Sequence, residues 1–293
     1  MSKNFKYWIL ATRPKTLMAS VGPVVLGAAI AHYEGNKINI LIFFLTLLTA
    51  VLLQIGTNLV NDYYDDKKGI DDESRLGPTR VTQSGLIAAS SVKKAFCSIF
   101  IISFLLGIYL MMTGGMPIII TGLLSILFAY AYTGGPFPLS YFALGEVLAL
   151  IFFGPVPVWG TNYLLSGTTS ELAIMAGFGP GLIAAGIMSI NNLRDIQTDS
   201  KTTKKTVAVL VGAKGARLLT LLLISASSFI PFVVAISSKA YWSALATIST
   251  YLFIKTWMQI ASAPIDEKLN NALANTGKYL LIFCVLLSIG LNI

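Results

Sequence analysis

The chain has 293 residues, of which 55% are hydrophobic and only 12% charged, with a mean hydropathy of +0.74. Soluble domains carry about 25% charged residues, so an ordinary globular protein is excluded and a polytopic membrane protein is indicated. The net charge of +8 is spread over separate segments that flank apolar runs, which argues against nucleic acid as a partner.

Residues 1–16 read as an amphipathic segment leading into the first span. Phe5, Tyr7, Trp8 and Ile9 alternate with Lys3, Lys6, Arg13 and Lys15. Nine spans follow, at about 17–33, 38–60, 96–113, 116–132, 142–162, 171–192, 216–237, 240–258 and 276–292, each near the roughly 20 residues a helix needs to cross a bilayer. Gly114-Gly115-Met116-Pro117 marks a tight turn between the third and fourth. The predicted fold is therefore all-α, a membrane bundle of about nine helices in one domain spanning 1–293. With the N-terminus inside, all 21 basic residues except Lys37 and Lys239 fall on the inner side. That asymmetry sets a cytoplasmic N-terminus in a cell membrane. The two cysteines, Cys97 and Cys284, lie in apolar runs and support neither a disulfide framework nor a thiolate metal site.

The second span ends in a burst of polar groups. Six of the thirteen acids, Asp62, Asp65, Asp66, Asp71, Asp72 and Glu73, fall within twelve positions, preceded by Asn58 and Asn61. If the helix continues, Asn58/Asp62 and Asn61/Asp65 stand four apart and share roughly one face. Gly69 then breaks the helix and lets Asp71 turn back, and Arg80 and Gln83 follow on a Gly/Pro-punctuated loop. A solvated acidic loop is the plain alternative, but carboxylates with arginine at a membrane mouth more often carry function.

After the fourth span, A-Y-A-Y-T-G-G-P places Tyr130 and Tyr132 near the inner face, where either one faces a cavity or joins an aromatic belt. Glu146 is among the few acids inside a span; it is a candidate for substrate binding, or it reaches the interface. The sixth span closes in a second burst, N-N-L-R-D-I-Q-T-D-S-K-T-T-K-K. There Asn191, Asp195 and Asp199 fall at i, i+4 and i+8 beside Arg194, Lys201 and Lys204. The loop from Gln259 to Lys278 reads as a solvated connection.

Both bursts lie at the inner ends of even-numbered spans, each pairing carboxylates and carboxamides with cations. Mg²⁺ prefers oxygen ligands and binds through one or two carboxylates plus substrate phosphates, while Arg and Lys neutralise the remaining phosphate oxygens. With an apolar bundle behind, the substrate that fits is a prenyl diphosphate.

On these residues the sequence resembles the UbiA-type superfamily of intramembrane aromatic prenyltransferases, and is most similar to the branch that prenylates 1,4-dihydroxy-2-naphthoate. The resemblance runs through R-P-K-T at 13–16, Q-I-G-T-N-L-V-N-D-Y-Y-D at 54–65, K-G-I-D at 68–71, G-P-T-R at 77–80 and Q-S-G at 83–85. It continues in A-Y-T-G-G-P at 131–136, L-G-E at 144–146, F-F-G at 152–154 and N-N-L-R-D-I-Q-T-D at 191–199. It implies two Asp-rich motifs at a cytoplasmic cavity, bridged by Mg²⁺ to the diphosphate. Asn58, Asn61, Asp62, Asp65 and Asp71 would form the first, and Asn191, Asp195 and Asp199 the second. Arg80, Arg194, Lys201 and Lys204 would contact diphosphate, with Arg13, Lys15 and Gln83 also expected at the substrate.

The implied reaction joins a polyprenyl group to an aromatic acid with loss of CO₂, in the lipid bilayer and without an obligate protein partner. Gly69 stands where a hydroxybenzoate-type member is expected to carry an acid, which favours the naphthoate branch. Thr203 replaces that branch's usual glycine. Another acceptor such as 4-hydroxybenzoate or homogentisate is the runner-up. A cation-coupled transporter is less apt, because transporter sites lie near the midplane on broken helices.

Overall fold

A computed structural model describes residues 3–69 and 76–293, so Asp71, Asp72 and Glu73 lie outside the described residues. Within them the chain is helical, with one isolated bridge, Phe142 to Lys205, and no strand. The helices are α1 (Lys3–Thr12), α2 (Pro14–Tyr33), α3 (Ile40–Lys67), α4 (Ala89–Ala131), α5 (Gly145–Phe152) and α6 (Pro155–Ser166). They continue as α7 (Glu171–Arg194), α8 (Ile196–Asp199), α9 (Val207–Ser238), α10 (Ile248–Leu252), α11 (Ile254–Ser262) and α12 (Leu269–Leu291).

Local chemistry sets these boundaries. Asn39 caps α3, its Oδ1 accepting from Leu41 N at 3.0 Å and Ile42 N at 3.2 Å. Gly69, at φ 61°, ends that helix in the left-handed conformation glycine tolerates. Ser170 caps α7 and Thr206 caps α9 in the same way as Asn39. Pro14 opens α2, where its missing N–H is no loss.

Seven helical stretches among the described residues are long and apolar enough to cross a membrane, making this a multi-pass membrane protein. The expected count of nine differs from this at two places. The third and fourth spans run together as α4, but Gly115 is non-helical at φ 62°, ψ −152°. A Cβ on Gly122 would touch the Met111 methyl at 3.0 Å, although eleven residues of straight helix rise about 16 Å, so the chain doubles back there. The span expected at 142–162 holds as one crossing, Gly145–Ser166, with an interruption at Gly154 between α5 and α6. The span expected at 240–258 divides into a 3₁₀ turn at Tyr241–Thr247, α10 and α11, none of them long enough to cross alone.

The principal core joins α2, α7, α9 and α12, around Leu26, Ile183, Ile224, Phe283 and Leu287. Glycines let α7 approach α5 and the α5–α6 junction closely: a Cβ on Gly181 would lie 2.5 Å from Leu150 O and one on Gly154 2.6 Å from Gly181 Cα. A second core of Leu59, Val60, Val81, Val92 and Phe96 locks the last turns of α3 and the loop at 80–87 against the start of α4.

Candidate active site

The C-terminal ends of α3 and α7 open onto one cavity of about 570 Å³. Asn58, Asn61 and Asp65 reach it from α3, Asn191, Asn192, Arg194 and Asp195 from the end of α7, and Arg13, Lys15, Arg80, Tyr132 and Lys204 from the surrounding segments. Its deeper wall is apolar, with Leu110, Ile118, Phe128, Phe152 and Leu164. The two polar bursts, about 130 positions apart in sequence, therefore share one chamber.

On the first side, Arg80 Nη2 donates to Asp65 Oδ2 at 2.5 Å, and its Nη1 stands 4.0 Å from Asp62 Oδ1. All three side chains are buried. Asp62 does not share the cavity face expected from its four-residue spacing to Asn58. Its Oδ2 accepts from Val81 N at 3.1 Å and its carbonyl accepts from Thr82 Oγ1 at 2.8 Å, so it anchors the Arg80 loop to α3. Asn58 Nδ2 donates to Thr12 O at 3.0 Å and Thr16 Oγ1 at 3.1 Å, and Asn61 Oδ1 accepts from Thr133 Oγ1. The Asn61 bond ties α3 to the loop after α4, and the Asn58 bonds tie it to the break between α1 and α2. There Arg13 adopts the left-handed conformation at φ 52°, rare for a residue with a side chain and most often met at functional sites.

On the second side, the expected single stripe of Asn191, Asp195 and Asp199 is interrupted. α7 ends at Arg194, Asp195 sits at the junction with φ −92° and ψ 8°, and α8 carries Asp199. Arg194 grips Asp195 with two bonds, Nε to Oδ1 at 2.8 Å and Nη2 to Oδ2 at 2.6 Å. It also donates to Asn191 Oδ1 at 2.8 Å and Asn270 Oδ1 at 2.9 Å. Lys204 Nζ lies 3.2 Å from Asp199 Oδ1. Burial alone would lower the Lys204 ammonium, but Asp199, Asp65 and Asp195 together hold it above its usual value. Burial pushes Asp199 up to about 6, against the pull of Lys204 and with the push of Asp195. Carboxylates from both bursts thus act on the same two groups.

Other expected residues stand off the wall. Gln83 and Lys201 are exposed on neighbouring loops. Tyr130 hydrogen-bonds the Tyr64 hydroxyl at 2.5 Å within the second core, leaving Tyr132 as the cavity tyrosine of the pair. Glu146 is buried behind the wall, accepting from Asn192. Asn270 was not anticipated: α12 begins at Leu269, seven residues before the expected start at 276, so Asn270 lines the cavity instead of a solvated loop. It donates to Leu76 O at 2.8 Å while accepting from Arg194. The Asn270-Asn271 pair just ahead of an apolar run was the available signal.

The donor set suits a hard cation only in part. Asp65 Oδ1 and Asp199 Oδ2 are buried without a hydrogen-bond partner among the described residues, as carboxylate oxygens awaiting a cation would be. Yet no group of three His, Cys, Asp or Glu side chains converges there among the described residues. The set fits Mg²⁺ only where a bound phosphate completes the shell, which is the usual Mg²⁺ arrangement.

A family model described as the UbiA prenyltransferase family matches residues 20–275. The 1,4-dihydroxy-2-naphthoate octaprenyltransferase of Haemophilus influenzae is 33% identical, over 100% of this chain and 98% of that one. The Escherichia coli protein of the same name is 37% identical over 72% of this chain and 70% of its own. Among solved structures, a UbiA homolog from Archaeoglobus fulgidus bound to GPP and Mg²⁺ superposes with a TM-score of 0.67. It is 14% identical and covers 98% of this chain and 100% of that one, a likeness of fold.

Proposed function

The chain belongs to the UbiA prenyltransferase family, and from that premise we propose that it transfers a polyprenyl group from polyprenyl diphosphate to 1,4-dihydroxy-2-naphthoate. Diphosphate and CO₂ are released and a demethylmenaquinol is formed. The observation that carries this reading is the single cavity on which Asp65 and Asp195 meet Arg80, Arg194 and Lys204 above an apolar pit. The names of the relatives supply the acceptor. The cavity mouth is taken to face the cytoplasm, in the cell membrane.

In this reading Asp65, Asp195 and Asp199, with Asn58, Asn61 and Asn191 beside them, would hold Mg²⁺ together with the diphosphate, and Asp71, outside the described residues, belongs to the same motif by its sequence. Bound there, Mg²⁺ neutralises charge that develops on the leaving diphosphate. Lys204, Arg80 and Arg194 provide fixed positive charge for the same oxygens, in place before the bond breaks and therefore without reorganisation. The allylic C–O bond breaks with its electron pair leaving on diphosphate, and the ring carbon bearing the carboxylate attacks the allylic carbon. Loss of CO₂ returns a bonding pair to the ring. The apolar wall would keep water from the allylic cation, and Tyr132 on the cavity wall is the candidate to stabilise it by a cation–π contact.

Mass spectrometry of products from purified protein, Mg²⁺ and polyprenyl diphosphate tests the assignment against a panel of acceptors. A prenylated, decarboxylated product from dihydroxynaphthoate is expected. Transfer only to 4-hydroxybenzoate or homogentisate would overturn the acceptor, and no transfer to any ring would overturn the reaction.

A further inference from the structure

Glu146 and Asn192 form a buried pair at the cavity wall, 7% and 4% exposed. Glu146 lies in the first turn of α5, where the helix N-terminus favours negative charge, and Asn192 lies on α7. Asn192 Nδ2 donates to Glu146 Oε1 at 2.9 Å. Asn192 lines the cavity, whereas Glu146 does not.

A carboxamide has a donor end and an acceptor end, and nothing in its shape decides which points where. A carboxyl oxygen that bears no proton can only accept, and Glu146 Oε1 is such an acceptor here. Glu146 therefore claims the amide end, and Oδ1 is left as the cavity-side atom of Asn192. The arrangement is costly for a structural contact, because Glu146 Oε2 is buried without a hydrogen-bond partner among the described residues. An apolar pair would serve packing better.

The surroundings suit a flat ring. Tyr132 and Met188 line the same stretch of wall, the Tyr132 hydroxyl donating to Met188 Sδ at 3.1 Å. A Cβ on Gly145 would meet that hydroxyl at 3.1 Å and Met188 Cγ at 3.2 Å, so glycine there keeps the stretch open. An aromatic face and a thioether both pack well on a planar ring. Asn192 is also three residues from Asp195, which places this patch beside the headgroup end of the cavity.

Resting on the function proposed above, we propose that Glu146 is a positioning residue that fixes the polarity of Asn192, so that Asn192 Oδ1 accepts a hydrogen bond from a ring hydroxyl of the aromatic acceptor. The pair selects the reduced, hydroxylated ring. A methyl ether offers no donor, and an oxidised quinone ring offers a carbonyl that meets Oδ1 as acceptor against acceptor.

The test is steady-state turnover of the full chain in nanodiscs, with dihydroxynaphthoate and its monomethyl ethers, at saturating Mg²⁺. Glu146→Leu is expected to raise KM for the acceptor about tenfold while KM for prenyl diphosphate stays put. Glu146→Gln, whose Oε1 still accepts, is expected to restore it to within about twofold. Asn192→Leu should erase the preference for hydroxyl over methyl ether. Equal rises in both KM values for Glu146→Leu, no rescue by Gln, or full discrimination retained in Asn192→Leu would each overturn the inference. If Glu146→Leu does not fold, the Asn192→Leu comparison decides alone. Absence of product from the wild-type protein would instead defeat the prenyl-transfer reading beneath it.

Discussion

Arg80 and Asp65 meet at 2.5 Å with both side chains buried, and Arg194 clasps Asp195 with two bonds of its own. Charges so enclosed are expensive unless paired, and the pairs stand where a diphosphate would replace one partner with another. Asp65→Ala and Asp195→Ala are each expected to cut prenyl transfer by at least about a hundredfold while leaving helix content and membrane insertion intact. Circular dichroism beside an activity assay checks both halves. Asp199 carries the pH dependence. Its carboxyl, raised by burial to about 6, takes up a proton in the unloaded protein as pH falls through that value. Mg²⁺-dependent substrate binding should then weaken below about pH 6, by up to about tenfold per unit. The same shift makes the unloaded fold lose stability as pH rises from the ordinary carboxylate range towards 6, since the folded state there binds more protons than the unfolded one. Most cavity residues were legible as residue types at spacings. Asp62 was not, because four-residue spacing gives a helix face but not which side of that face a loop such as 80–82 will cover.

At the scale of elements, α3 and α7 deliver their polar ends to the cavity because Asn39 and Ser170 fix where they begin and Gly69 and Asp195 where they stop. The crossing of α7 with α5 and α6 depends on glycine. Gly181→Ala should destabilise the protein by about 1–3 kcal/mol, read as a lower Tm in detergent, because the new Cβ has only backbone to push against. Gly160→Ala, with nothing within 4 Å, should leave Tm unchanged or higher. Hydropathy found the apolar stretches and placed the reversal near Gly115. It could not divide 241–262 into three pieces, since a stretch without Gly or Pro carries no mark of where a helix tilts into 3₁₀ geometry. Nor could it foresee that α12 extends back through the polar pair Asn270-Asn271 to Leu269, where the pull of Arg194 and Leu76 O on Asn270 outweighs poor helix propensity.

Over the whole molecule, helices from both halves of the chain enclose one chamber, charged at its mouth and apolar within, in a multi-pass membrane protein of the UbiA family. The two acidic clusters meet on one cavity, and in the proposed function they act together on one headgroup. That joint action is most directly measured by the affinity for a polyprenyl diphosphate with and without Mg²⁺, in wild type, Asp65→Ala, Asp195→Ala and the double variant. Mg²⁺ is expected to tighten binding in the wild type, and either single substitution should remove as much of that tightening as both together. Full Mg²⁺-dependent tightening in either single variant, or losses that simply multiply in the double variant, would contradict a shared site.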